Sequence, residues 1–161
     1  MIRKYKPSDF EDVIRIANRA WREIRRYSRQ TLGDRISDII HSGIEDDMLK
    51  GLEVKAQIEA SPDNIRICEE NDRVIGFITF RMNQDSRIGE IMNNAADPEA
   101  GIKGIGQQMY AHVLDLFIAS GMKVAKVMTG LDEAHSPARR AYERAGFDHS
   151  LEFITYYKEL K

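Results

Sequence analysis

The sequence predicts a mixed α/β fold, a sheet with helices on both faces, and three observations carry that expectation. In Val74 to Met82, the residues Val74, Gly76, Ile78 and Phe80 alternate with Ile75, Phe77 and Thr79. Both faces of that strand are apolar, as in a sheet covered on each side. Two stretches repeat apolar residues at helical spacing: Phe10, Val13, Ile14, Ala17, Trp21 and Ile24, and later Ile105, Met109, Val113, Leu116 and Phe117. Between a strand at Ile88 to Ala96 and the second helix stands Asp97 to Gly106, with three glycines at the junction. A chain of 161 residues suits one domain over 1–161 with a real core, and two would be cramped.

In chain order, Ile2 to Tyr5 reads as a short strand ended by Pro7, and Ser8-Asp9-Phe10-Glu11 fits a capping box for the first helix. Gly33 breaks that helix. Ile36, Ile39 and Ile40 suggest a short second one, and Met48, Leu49, Leu52, Ala56 and Ile58 a third. Ile65 to Glu69 and Val74 to Met82 read as strands of a hairpin turning at Glu70 to Arg73. The strand ending in Asn93-Asn94-Ala95-Ala96 is poor strand material, and a bulge there would leave backbone groups unpaired. The helix from Gly104 to Ser120 ends at Gly121. A strand at Val124 to Thr129, a helix at Pro137 to Ala145 stopped by Gly146, and a last strand at Leu151 to Tyr157 complete the chain.

The glycine junction lets successive backbone N–H groups point into one concavity at the positive end of a helix, a place suited to phosphate or pyrophosphate. Lys103 adds positive charge there. The order Gly-x-x-Gly-x-Gly, late in the chain, is not a dinucleotide fingerprint, and no Gly-Lys-Ser/Thr follows it. By itself such a cluster also fits a simple turn.

Gly101 to Gly106 resembles the pyrophosphate loop of the GNAT superfamily of acyl-CoA-dependent N-acetyltransferases, whose pattern is Arg/Gln-x-x-Gly-x-Gly/Ala. His135-Ser136-Pro137-Ala138 followed by Ala141-Tyr142-Glu143-Arg144-Ala145-Gly146-Phe147 resembles that family's second signature, Asn-x-x-Ala-x-x-x-Tyr-Glu-x-x-Gly-Phe. Gly101 replaces the first Arg/Gln, which keeps the backbone donors, and His135 replaces the Asn. The resemblance implies a GNAT-like fold with a mixed, mostly antiparallel central sheet. It also implies direct transfer of acetyl from acetyl-CoA to a primary amine without a metal, and dimers are common in the family.

For the site, the resemblance implies that Asn94, Ala95 and Ala96 bind the pantetheine arm as an added strand would. Gly101, Ile102, Lys103, Gly104, Ile105, Gly106 and Gln107 are expected at the pyrophosphate, with His135 and Arg139 also on the coenzyme. Tyr142, at the family's tyrosine position, is the expected acid, since a phenol with pKa near about 10 stays protonated at neutral pH and can protonate a thiolate. Glu90, where some members carry a glutamate, is the expected acceptor of the amine's proton. Its plain alternative is a solvated strand residue, and Asp85 and Asp132 are weaker candidates.

Composition sets the remaining bounds. A formal net charge of −2 exerts no global pull on nucleic acid or acidic lipid. No apolar run reaches the length of a membrane span, and Met1 to Tyr5 lacks the core of a signal peptide, so the cytoplasm is the expected location. Cys68 is the only cysteine, and His41, His112, His135 and His149 have no ligand spacing. Arg15, Arg19, Arg22, Arg26 and Arg29 form a stripe along the first helix. It reads either as a solvated face or as a grip on an acidic partner or nucleic acid, in which case the chain would be an inactive binding module. The acceptor is open at this stage: polyamine, antibiotic, amino acid, peptide N-terminus or lysine side chain.

Overall fold

The structure, a computed structural model, describes residues 1–160. Strands β1 (Ile2–Lys4), β2 (Ile65–Glu70), β3 (Arg73–Asn83), β4 (Ile88–Ala96) and β5 (Val124–Val127) form one sheet in that order. The first three pairings are antiparallel and β4 pairs with β5 in parallel. Helices α1 (Phe10–Leu32), α2 (Asp34–Ile40), α3 (Asp46–Ala60), α4 (Ile105–Ala119) and α5 (Ser136–Arg144) complete the chain. The mixed, mostly antiparallel sheet with helices on both faces is therefore as expected.

The two apolar faces of β3 feed two cores. Phe77 joins Val13, Ile16 and Ala17 of α1 and Val54 and Ile58 of α3 on one face. Ile78 and Phe80 join Met109, Val113 and Phe117 of α4 on the other, with Tyr142 of α5 at its edge. At Gly51 of α3 a Cβ would come within 2.7–2.9 Å of the Asn18 side chain and Ile14 of α1. The bare backbone lets the helices meet closely, and the Gly51 N–H donates to Asn18 Oδ1 at 2.6 Å.

Three local expectations are corrected. The entry to α1 is not a Ser8–Glu11 box; a short 3₁₀ turn at Pro7–Asp9 precedes the helix, and Asp9 accepts from the Lys6 N–H at 2.8 Å while Arg3 binds its carboxylate. The ion pair to β1 outcompetes the local cap. The strand before α5 stops at Val127 rather than Thr129. No strand forms at Leu151 to Tyr157: the segment is exposed, with Leu151 at 91% and Tyr156 at 85%. Alternating side chains make a segment able to pair, but a strand exists only beside an edge that takes its hydrogen bonds.

The bulge lies one step earlier than expected. Ile78 pairs with Asn94 and Phe80 with Ile91, so Met92 and Asn93 together oppose Thr79. The Thr79 hydroxyl is the clamp: it accepts from the Asn93 N–H at 2.9 Å. The extra residue reverses the alternation along β4. Before it, Ile91 packs toward α4; after it, Ala95 packs toward α1 and α3, while Asn94 turns toward α4 and α5.

Candidate active site

The β4–β5 ladder ends at the pair Ile91–Val127, so from Met92 to Ala96 strand β4 is paired only to β3. The strands part there and open a cavity of ≈ 760 Å³. Its walls are β4 from Glu90 to Ala96, the turns after β5, Gly106 and Tyr110 of α4, Tyr142 of α5, and Trp21, Lys50 and Glu53 of α1 and α3. Free backbone groups along one side of such a slot can hydrogen-bond an extended ligand as a neighbouring strand would.

One end of the slot leads to the glycine loop. Gly104 has φ +83° and is the N-cap of α4, a conformation that costs other residues but not glycine. Gly101 also has positive φ. The first intrahelical bond runs from Gln108 N–H to the Gly104 carbonyl at 3.1 Å, so the amides of Ile105, Gly106 and Gln107 lie ahead of the ladder and can serve an anion. The Ile105 side chain itself is core, 2% exposed, leaving only its backbone for a ligand.

Asp97 holds this loop to the rest of the protein. Its carboxylate, 0% exposed, meets Arg15 and Arg73 at 3.2 Å each and Arg19 at 3.6 Å, and accepts the Glu99 N–H at 3.0 Å. Burial alone would push this carboxyl up, but the Glu99 amide and the Arg15 and Arg19 charges outweigh it and hold the pKa below the ordinary value. That contribution is present in full above the unfolded value near about 3.9 and is lost as pH falls through the lower folded value. Asp97→Asn should thus cost about 2 kcal/mol, less than a fully buried pair because Arg73 stays half exposed. Thermal melts from pH 7 to pH 3 read it directly: the gap between wild type and variant should narrow toward the acid end, and a gap independent of pH would remove Asp97 as the anchor.

The midpoint of the slot carries a directed polar chain. Tyr110 donates its phenolic proton to Asn94 Oδ1 at 2.8 Å, and Asn94 Nδ2 donates to the Tyr142 oxygen at 3.1 Å. Asn94 therefore leaves the Tyr142 proton free. Burial pushes the Tyr142 phenol up, against smaller opposing effects of Asn94 and Tyr110, and burial pushes Tyr110 up further still. Both are protonated at neutral pH. The rings of Tyr110 and Tyr142 lie 5.2 Å apart, and Phe147 stands edge-on to Tyr142 at 6.0 Å.

On the far side of the slot, Glu90 sits in a row across three strands, between Lys126 at 3.0 Å on one oxygen and Arg81 at 2.7 Å on the other. Burial pushes its carboxyl up, but Lys126 and Arg81 prevail and hold it below the ordinary range. Asp85 lies in the turn outside this cavity, and Asp132 bonds His135 Nδ1 at 2.6 Å.

The fold matches known proteins. A family model described as "Acetyltransferase (GNAT) family" matches residues 15–147. The chain belongs to the GNAT acetyltransferase family. Among curated relatives of this GNAT chain is S-(2-succino)cysteine N-acetyltransferase of Bacillus subtilis (strain 168), 29% identical over 89% of this chain and 81% of the relative. Among solved structures, PaiA N-acetyltransferase of Thermoplasma acidophilum with coenzyme A superposes with a TM-score of 0.67 at 19% identity, over 92% of this chain and 89% of that one. A GNAT acetyltransferase of Brucella melitensis with acetyl-CoA gives 0.59 at 18% identity, over 92% and 82%. At those identities the structural matches speak to the fold.

Within the GNAT frame, Asn94, Ala95, Ala96, Gly106, His135, Tyr142 and Glu90 all line the cavity. Gly101, Ile102, Lys103 and Gly104 form the exposed loop beside it. Gln107 and Arg139 spend hydrogen bonds on scaffolding: Gln107 donates to the Ala141 carbonyl at 2.7 Å, Arg139 to the carbonyls of Gly130 and Asp132 at 2.7 and 2.6 Å. The arginine stripe is committed internally. Arg15 and Arg19 bind Asp97, Arg26 pairs with Glu23, Arg29 binds Asp46 at 2.6 Å, and Arg22 lies 3.7 Å from Asp47. Arg15, Arg19 and Arg29 are held by these pairings, while Arg22 and Arg26 stay exposed in surface pairs. The buried Cys68, its thiol pushed up by burial, offers no nucleophile.

Sequence reasoning missed Tyr110, Thr79 and the pair Lys50–Glu53. Tyr110 falls one residue after Met109 on the apolar face of α4 and reads as packing. Lys50 and Glu53 lie in a helix without a motif, and only the fold of α3 over β4 brings them to the cavity.

Proposed function

We propose that this GNAT protein transfers the acetyl group of acetyl-CoA directly to a primary amine of a small acceptor. The observation that carries the reading is the parting of β4 from β5 beside Tyr142, with the α4 N-terminus at one end of the slot. The amides of Ile105, Gly106 and Gln107 would hold the pyrophosphate, and the unpaired side of β4 from Met92 to Ala96 would hold the pantetheine arm. An N–H near the bulge would polarise the thioester carbonyl and take up the charge that develops on its oxygen. That the Bacillus subtilis relative bears the name of an enzyme acting on a cysteine derivative supports a small amino compound over a protein.

An amine with a pKa near about 10.4 arrives protonated, so a proton must leave before attack. Glu90, ionised at neutral pH, can draw that proton away through water, although Lys126 and Arg81 occupy both of its oxygens and blunt its basicity. After attack, Tyr142 gives its proton to the departing sulfur and is reprotonated from solvent. Thiol release from acetyl-CoA, followed across a panel of amines with the product identified by mass spectrometry, tests the reading. Release that depends on an amine and yields its N-acetyl derivative is expected. Tight coenzyme binding without transfer to any amine would overturn it.

A further inference from the structure

Resting on the transferase reading, we infer that the acceptor amine carries a carboxylate, and that Lys50 is the residue that selects for it. Lys50 is 8% exposed, unusual for a lysine, and it lines the cavity on the side opposite the tyrosines. Its Nζ bonds Glu53 at 2.6 Å and lies 4.6 Å from the Trp21 ring centre. Glu53 does not neutralise it alone, because Arg25 binds the same carboxylate at 2.6 Å. An ammonium has three donors and one goes to Glu53, so charge and donors remain for a ligand. The Nε of Arg25 is also buried without a partner.

The cavity's other carboxylate, Glu90, is flanked by Lys126 and Arg81, which are exposed and stand outside the lining. Both carboxylates of the lining are thus engaged by cations, and among the described residues Lys50 is the one lysine or arginine that the lining holds. A carboxylate on the acceptor would meet the Lys50 ammonium, a contact that a polyamine cannot make. Burial pushes the Lys50 ammonium down, opposed by Glu53. A ligand carboxylate beside it would restore the charge that burial disfavours.

The experiment compares L-glutamate and S-carboxymethylcysteine with their dimethyl esters and with spermidine, in wild type, Lys50→Met and Lys50→Arg. The free acids should show kcat/KM at least about 10-fold above the esters and spermidine. Lys50→Met should erase that gap by raising KM for the acids, leaving the esters and the coenzyme dissociation constant unchanged. Lys50→Arg should retain part of the gap, and coenzyme binding reports that each variant is folded. Esters or spermidine used as well as the acids would overturn the inference, as would a Lys50→Met loss shared equally by acids and esters. If no amine is acetylated, the transferase reading fails, and calorimetry with N-acetylglutamate and its dimethyl ester still decides on Lys50. Tighter binding of the acid, lost in Lys50→Met, supports the inference; equal binding overturns it.

Discussion

Tyr142→Phe is expected to lower kcat by about 10²-fold or more while leaving coenzyme affinity within about twofold. The variant removes one oxygen and keeps the ring that packs on Tyr110 and Phe147. It leaves Asn94 Nδ2 without its acceptor, which costs about 1 kcal/mol of stability but does not touch the glycine loop. The direction of the hydrogen bonds makes the case: Tyr110 gives to Asn94, Asn94 gives to Tyr142, and Tyr142 retains a proton to give onward. Because burial holds the phenol up, the basic limb of kcat against pH should lie above the ordinary tyrosine range and weaken in the variant. Single-turnover rates with a turned-over acceptor check both points. An unchanged chemical step would reduce Tyr142 to packing and leave the thiolate to be protonated by water.

Gly104→Val is the second large effect. The residue sits at φ +83°, where a β-branched side chain costs on the order of 1–3 kcal/mol, and it caps the helix whose free amides face the expected pyrophosphate. Relief of that strain should reorient the first turn of α4 and weaken coenzyme binding by about 10- to 100-fold, since a charge-assisted contact to even one amide is worth that much. Gly121→Val is the control. It stands past the C-terminal end of the same helix at φ +79°, so it bears similar strain away from the loop. Titration calorimetry should show coenzyme affinity lost in the first variant and kept in the second, with comparable losses in melting temperature. Equal affinity in both would remove the loop from the site.

Part of the candidate site can be read in the sequence because its signals are local. Gly104 must take positive φ at a helix start, Gly121 and Gly146 must take it at helix ends, and the spacing between Gly101 and Gly106 follows from the turn they make. Tyr142 was legible through the signature around it. Glu90 was legible as a position, but not as a residue pinned between Lys126 and Arg81, because those partners come from β5 and β3. The strand expected at Leu151 to Tyr157 failed for a related reason: its alternation is intrinsic, its partner is not.

Tyr142 came through resemblance to the family signature. From sequence alone came the mixed α/β class, the two-faced β3, the amphipathic α1 and α4, and the glycine turn that opens α4. Each depends on periodicity or backbone conformation within about ten neighbouring residues, which the chain carries in its own order. Tertiary structure decided the rest. It set the bulge at Met92–Asn93, which depends on a hydroxyl from Thr79 across the sheet. It set the chain Tyr110–Asn94–Tyr142, drawn from two helices and a strand, and the capture of the arginine stripe by Asp97, Glu99 and Asp46. It also set Lys50 over the cavity, through the close passage of α3 along α1 at Gly51. Hydrogen bonds and ion pairs act over about 3–4 Å, and only folding brings residues so distant along the chain within that range.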